Sequence, residues 1–335
     1  MKKGIGVAGN LIVDITYPVE RWPRESELVT ITEGISRSTG GAVCNVAVDL
    51  ARLDATVPLK TLGVIGTDGE GDYILEELEK YGNIDTSLLK RKGSTSFTAV
   101  MSNNTTKNRT FFQYRGANAF FQEDCIPWEE LDIDLLHVGY ILLLDALDQK
   151  DAEYGTRMAR LLARARERGI KTSIDVVTET GNRFQDLVPP ALRYTDYCII
   201  NELEAQQITG VILREDGERL YPERMREALE KMMEMGVSTW AVIHCPEGGF
   251  GLDREGSFVS CDSLRLPKGY IQGTVGAGDA FCSGVLYGAW KGWELKKAIR
   301  LGTCGAAASL SRPGATEGMA PVEQVLELEG KFSAE

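Results

Sequence analysis

The chain has 335 residues, enough to bury a large core, with 43% hydrophobic and 26% charged residues, the balance of a globular protein. A formal net charge of −12 argues against nucleic acid, whose phosphates demand basic stripes; only two histidines, His137 and His244, argue against a His-built zinc site or a histidine general base. Seven cysteines, an odd number without close CxxC spacing, fit reduced thiols in a cytoplasm; the first residues lack a signal-type apolar region, and no stretch approaches the ~18 apolar residues of a membrane span.

Short Val- and Ile-rich runs alternate with longer amphipathic segments, the rhythm of an α/β protein. In chain order the pattern predicts a strand over 5–15, a helix over 42–53, a strand over 59–65 and a helix over 71–81. Strands over 135–138, 172–175, 197–200 and 240–243 follow, with helices over 152–168, 202–208 and 222–235 between and after them. The C-terminal part reads as helices over 278–290, 295–310 and 322–328. Strands joined by crossover helices imply a mostly parallel sheet covered on both faces, a three-layer α/β/α body, with ligands beyond the carboxyl ends of the strands. Two segments break the rhythm. Residues 17–38 are polar with a β-prone stretch at 28–32, and 95–118 reads as two strands, 96–101 and 109–114, across a polar tip at 102–108. Together they are expected to form a small β-sheet lid, from segments 16–38 and 95–118, on a single α/β domain spanning 1–335.

The most specific stretch is Gly273-Thr274-Val275-Gly276-Ala277-Gly278-Asp279-Ala280-Phe281. Small residues let backbone N–H groups converge at a helix N-terminus, a pocket for a phosphate, and Asp279 at its edge can take a proton from a hydroxyl attacking that phosphate. The plainer reading of Gly-Ala-Gly-Asp is a capped helix start. Upstream, Gly40-Gly41-Ala42-Val43-Cys44-Asn45 opens another helix, where glycines admit a ligand to the backbone and Asn45 can donate to and accept from sugar hydroxyls. Asp14, read as ending the first strand, can accept from two hydroxyls or be a solvated loop acid. Gly63 to Gly71 reads as a structural turn with Asp68 capping a helix. Asn201 and Glu204 have capping-box spacing.

In this order the motifs closely resemble those of the ribokinase-like (PfkB) carbohydrate kinases: the Gly-Gly-x-x-x-Asn signature at 40–45, the Gly-x-x-Gly-x-Asp turn at 63–68, Asn-x-x-Glu at 201–204 and the Thr-x-Gly-Ala-Gly-Asp-x-Phe signature at 274–281. The resemblance runs from about residue 5 to 320. It implies a ribokinase-like fold and transfer of the γ-phosphate of ATP to a primary hydroxyl of a small sugar, ribose-, fructose- or keto-deoxy-sugar-like. Asp279 would be the base, with Gly276, Ala277 and Gly278 forming the anion hole. Asp14, Gly40, Gly41, Asn45 and the lid residue Asn118 would hold the sugar. Asn201, His244, Gly249, Thr274, Gly276 and Gly278 would meet the nucleotide, and Glu204 would organise Mg²⁺. His244 reads equally as a plain strand-end histidine, and His137 as structural. Arg312-Pro313-Gly314-Ala315, after a small-residue helix, matches the family's segment near the base. The lid implies a homodimer.

The chain departs from the pattern at Gly273, where an Asp or Asn is usual; losing that carboxylate argues against an activating monovalent cation. Pro246 stands where a glycine is usual and removes a backbone N–H from the nucleotide loop. Ala42 replaces the lysine of the ribokinase-type motif, which argues against ribose as the acceptor. Tyr114 and Arg115 could meet a phosphate and so admit a phosphosugar. Phe97, Phe111, Phe112 and Tyr114 could stack on a nucleobase and so admit a nucleoside, or form the lid core. A sensor without turnover is a further alternative.

Overall fold

In the computed structural model, which describes residues 2–106, 108–178, 181 and 183–333, the apolar runs assemble one large sheet and the irregular segments a smaller one. The strands of five or more residues are β1 (Gly4–Gly9), β2 (Ile12–Val19), β3 (Ser36–Gly40), β4 (Leu59–Ile65), β5 (Phe97–Asn103), β6 (Arg109–Tyr114), β7 (Ile133–Ile141), β8 (Lys171–Val176), β9 (Tyr197–Asn201), β10 (Trp240–Cys245), β11 (Gly248–Asp253) and β12 (Phe258–Asp262). The helices are α1 (Gly41–Leu53), α2 (Gly69–Leu78), α3 (Arg157–Glu167), α4 (Phe184–Leu192), α5 (Glu202–Thr209), α6 (Met225–Glu234), α7 (Ala277–Lys291), α8 (Leu295–Ser309) and α9 (Val322–Phe332).

The large sheet runs β12-β11-β10-β9-β8-β7-β1-β4, with short strands beyond β4, and is parallel from β10 to β4. Alternation along the strands divides the core between two faces. Val7, Ile199 and Val242 join α1, α7, α8 and α9 on one side. Ala8, Ile200 and Ile243 join α3 to α6 on the other. The expected α/β/α layering is what these residues build. At the far edge β11 and β12 return antiparallel, an extension that the sequence pattern did not predict.

The expected strand over 5–15 is two strands. Gly9 adopts φ +124, and an added Cβ there would stand 1.8 Å from the Gly139 carbonyl, so the chain turns out of the large sheet at Asn10. Asp14 therefore lies within β2, a lid strand, rather than at the end of the first body strand. The lid has the order β3-β2-β5-β6, as the two irregular segments suggested. Its fourth strand is Ser36–Gly40, however, and the stretch at 28–32 supplies only a bridge from Ile31 to Val19. Lys107, in the polar tip, lies outside the described residues.

Helix boundaries shift for local reasons. The helix expected from 152 begins at Arg157, because Asp151 accepts from the Glu153 and Tyr154 amides in a turn and Thr156 then caps Ala159 N. Asp68 caps α2 as expected, accepting from Gly71 N, and the helix starts two residues earlier than predicted. Residues 222–224 form a 3₁₀ turn before α6. The α4 helix was not predicted; it contains Pro189 and Pro190, which read from sequence as breakers.

Candidate active site

The carboxyl ends of β1 and β7, the lid and the N-terminus of α7 converge. Gly276 caps α7 in the left-handed region, φ +77, with no side chain on the free amides of the first turn. Ala315 allows no Cβ at Gly276, since an added one would stand 2.6 Å from it, so the loop 312–315 packs onto the glycine turn. Asp279 follows in the first turn and is buried. One carboxylate oxygen accepts from Asn45 Nδ2 at 2.8 Å and the other from the Tyr140 hydroxyl at 2.6 Å. Burial pushes its pKa above the ordinary 3.8, while the Tyr140 and Asn45 hydrogen bonds pull it back.

Asn45 sits one turn into α1, whose start is formed by Gly40 and Gly41. Gly41, φ +83, lies so close to the Asn10 carbonyl that an added Cβ would approach to 2.7 Å. At Gly40 the added Cβ would stand 2.3 Å from Asp14 Oδ2. The glycine pair thus makes room for the Asp14 carboxylate beside α1. Burial raises the Asp14 pKa to about 6, the Thr98 hydrogen bond lowers it, and the Asp279 charge raises it further. Asp14, Gly40, Gly41, Asn45 and Asp279 are therefore brought together, as the sequence pattern required.

Next to the glycine turn lies a cavity of about 650 Å³. Asn201, His244, Thr274, Ala277 and Gly278 line one end, and Leu264, Leu266, Ile271, Ala306 and Leu310 line the apolar remainder. The small residues of α8 thus open space for a flat apolar group. His244 packs on Phe281, with ring centroids 4.9 Å apart, and an added Cβ at Gly278 would stand 3.3 Å from its ring. Burial pushes its pKa down to about 4, so it faces the cavity as a neutral imidazole. Asn201 and Glu204 form a full capping box on α5: Glu204 N donates to Asn201 Oδ1, and Asn201 N to Glu204 Oε2, both at 2.9 Å. The second Glu204 oxygen accepts from the Thr178 hydroxyl at 2.9 Å, and burial raises the carboxyl pKa to about 7.

Two expected residues point elsewhere. Gly249 pairs with His244, and an added side chain there would meet Ile299 and the Phe281 ring, so the glycine permits close packing of α7 and α8 on β11, and it is not among the residues lining the cavity. Asn118 is buried and bonded to backbone: its Oδ1 accepts from Leu11 N at 3.1 Å and its Nδ2 donates to Leu11 O at 3.0 Å. It pins the point where the chain passes from body to lid, and at 1% exposure it presents no open surface to a sugar. The aromatic residues are not lid core either: Phe111 is 62% and Phe112 59% exposed. His137 is structural as expected, bonded to Ser173 Oγ at 3.0 Å and pushed to about 3 by burial.

The motif reading missed Tyr140, Asn10 and Asp175. Asn10 Oδ1 accepts from Tyr140 N at 2.7 Å and so sets the tyrosine beside Asp279. Burial, joined by the charges of Glu204 and Asp279, pushes the Asp175 pKa well above the usual range. The available signal was positional, since Tyr140 and Asp175 both stand at carboxyl ends of predicted parallel strands.

A family profile described as "pfkB family carbohydrate kinase" matches residues 2–322. The chain belongs to the pfkB family of carbohydrate kinases. It is an enzyme of the phosphotransferase type with a sugar acceptor. Among curated relatives, an uncharacterized sugar kinase of Archaeoglobus fulgidus is 27% identical over 268 residues, covering 77% of this chain and 93% of that one. A 5-dehydro-2-deoxygluconokinase of Clostridium perfringens is 22% identical, covering 88% and 85%, and a ribokinase of Staphylococcus aureus 23%, covering 97% and 99%. Among solved structures, Arabidopsis thaliana ribokinase complexed with ribose and ATP superposes with a TM-score of 0.79 at 19% identity, covering 99% and 100%. Thermotoga maritima ribokinase gives 0.77 at 20%, covering 98% and 99%. At these identities the structural likeness establishes the ribokinase fold.

Proposed function

We propose that the chain is one kinase domain, 1–335, that transfers the γ-phosphate of ATP to a primary hydroxyl of a small sugar. The observation that carries this is Asp279, held by Asn45 and Tyr140 between the Asp14 side and the glycine turn that borders the apolar cavity. Asp14, Asn45 and the backbone at Gly40 and Gly41 hold the sugar. Asp279 takes the hydroxyl proton as the oxygen bonds to the γ-phosphorus and the bond to the β-phosphate oxygen breaks, releasing ADP. Amides of Ala277, Gly278 and Asp279 stabilise charge on the transferring oxygens. The adenine fills the apolar cavity against Ala306 and Leu310, with Asn201, Thr274 and neutral His244 toward the phosphates.

The donor set suits a hard cation held through water. Among the described residues no three His, Cys, Asp or Glu side chains converge as direct ligands, and the buried Glu204 carboxyl is already engaged by Asn201 and Thr178. Glu204 and Asp175 would therefore orient waters around Mg²⁺, which supplies charge neutralisation for the phosphates. At Gly273 an added Cβ would stand 2.8 Å from the Pro313 carbonyl, so this turn has closed over the space of a side chain. Turnover independent of potassium is the corresponding expectation. Seven free cysteines suit a reducing cytoplasm, and no helix among the described residues is long and apolar enough to cross a membrane. The net charge of −12 disfavours nucleic acid as a partner. The lid bears exposed Leu28, Ile35, Phe111 and Phe112, an apolar surface suited to a homodimer.

The test is ADP release from MgATP over a panel of neutral sugars, sugar acids, fructose 6-phosphate and nucleosides, with and without potassium. Asp279→Asn is expected to lower turnover by ~10²–10⁴ with little change in sugar affinity. Retained turnover in that variant would overturn the assignment of the base, and a nucleoside as best substrate would replace the sugar reading.

A further inference from the structure

One arginine and two glutamates form an ion cluster in the wall of the large apolar cavity. Arg214 opens a short hairpin in which Arg214–Glu215 pairs with Arg219–Leu220. Its backbone is fixed from α5, because Gln206 Oε1 accepts from Leu213 N at 2.8 Å and from Arg214 N at 3.1 Å. The Arg214 side chain is 7% exposed. Its Nε donates to Glu202 Oε1 at 2.7 Å, and its Nη1 and Nη2 donate to Glu247 Oε1 and Oε2 at 3.1 and 2.6 Å. Nη1 also donates to the Glu218 carbonyl at 3.2 Å. Glu202 is the first residue of α5, and Glu247 follows Pro246 in the turn between β10 and β11. Asn201, Glu202, Cys245, Pro246 and Gly248 all line the cavity. A single guanidinium therefore joins the α5 flank of the cavity to the β10–β11 flank.

Taking these charges out of water costs solvation, and such a cluster stabilises a fold no better than apolar side chains of the same volume. What it sets is the charge of the wall. Among the described residues no lysine or arginine lines the cavity, whereas Glu202 does, with its side chain 8% exposed. At the same end Glu204 completes the capping box with Asn201, and Asp279 follows Gly278. A polyphosphate lodged there meets carboxyl groups on the wall and no side-chain cation. Arg214 neutralises Glu202 from behind that wall, where low access to water leaves charge poorly screened. Glu247, 46% exposed, takes the other edge of the fork and aims the guanidinium at Glu202.

We infer that Arg214 is a positioning residue for the phosphates of the nucleotide, acting through Glu202, whose charge it cancels. This rests on the reading that the cavity takes ATP, and it adds the group that makes the wall tolerant of a polyphosphate. Without the guanidinium, Glu202 is a buried carboxylate with no counter-charge, and its repulsion grows with each phosphate on the ligand. The base, held among Leu264, Leu266 and Leu310, carries no charge and is indifferent to it.

The experiment measures the affinity of the full chain for adenosine, AMP, ADP and ATP, each with Mg²⁺, by displacement of a fluorescent adenine nucleotide. Arg214→Met is expected to weaken ATP by about tenfold or more, ADP by less, and adenosine by under about threefold. A merely structural role would weaken all four alike, because a distorted cavity loses the base as well. Adding Glu202→Gln to Arg214→Met removes the stranded charge and is expected to return ATP to within about threefold of the parent. If Arg214→Met fails to fold, Glu202→Gln alone decides: with the arginine kept, ATP is expected to tighten by about threefold relative to adenosine. Equal losses across the four ligands, unchanged ATP binding in Arg214→Met, no recovery in the double variant, or an unchanged ratio of ATP to adenosine in Glu202→Gln overturns the inference. Any of these in a chain whose parent binds ATP leaves the cavity reading intact. A parent that binds no adenine ligand overturns the cavity reading and the inference with it.

Discussion

Asp279 lies under two opposing influences, and the balance between them is open to test. Burial raises its pKa and makes it a better proton acceptor, while the hydrogen bonds from Tyr140 and Asn45 keep it ionised. Tyr140→Phe removes one of those bonds. The acid limb of kcat/KM is expected to move to higher pH and the maximal rate to fall by about tenfold; a pH profile superimposable on the parent's would show that Tyr140 does not tune the base. Asp14 behaves differently. Its folded pKa, about 6, lies above the ordinary 3.8, so below pH 3.8 both states are protonated and the group costs nothing. As pH rises through that interval the unfolded chain ionises first, and native stability is lost by up to about 3 kcal/mol. Asp14→Asn is therefore expected to unfold at higher denaturant than the parent at pH 8 and at the same denaturant at pH 3.5, while sugar affinity drops. A difference of equal size at both pH values would refute the linkage. Asp14, Asn45 and Asp279 were legible because their motifs state both residue type and spacing. Tyr140 was not, because no local pattern distinguishes a tyrosine aimed at a carboxylate from one packed in the core.

At the scale of elements, the glycine turn before α7 is where backbone conformation carries the function. Gly276 needs φ +77 and leaves no space for a methyl group beside Ala315. Gly276→Ala is expected to cost more than ~1 kcal/mol in denaturant unfolding. It should also lower kcat more than sugar affinity, since the amides of the first turn are displaced; unchanged stability and rate would show that the turn tolerates another conformation. Element boundaries were less legible than element identities. The start of α3 depended on the competition between an Asp151 turn and helix extension, which the Thr156 cap settled. The α4 helix was hidden by its two prolines: it is short, and its buried face of Phe184, Leu187, Val188 and Ala191 packs into the core that flanks α3 and α5. Packing overrode propensity there.

At the scale of the whole molecule, the lid exposes the apolar surface on which the proposed dimer rests. Leu28 is 89% exposed and Ile35 59%, beside a groove formed by Val19, Trp22, Ile31, Met101 and Phe112. If two lids pair, Leu28→Lys together with Phe112→Lys is expected to convert a dimer to a monomer in sedimentation, with the body still folded; a parent that sediments as a monomer would sink the dimer outright. By itself the sequence determined the layered α/β architecture and the order of the motifs, whose resemblance to the family's implied the cluster of Asp14, Gly40, Gly41, Asn45 and Asp279. Architecture and motifs were readable because hydrophobic period and the steric demands of glycine act within a few residues. The tertiary structure alone decided that the first strand breaks at Asn10 and that Asn118 pins the lid instead of facing a sugar. It also decided that Gly249 packs on Phe281, and that Arg214 joins Glu202 to Glu247. Each of those depends on groups far apart in sequence competing for the same space or the same hydrogen bond, and such competition leaves no local trace in the order of residues.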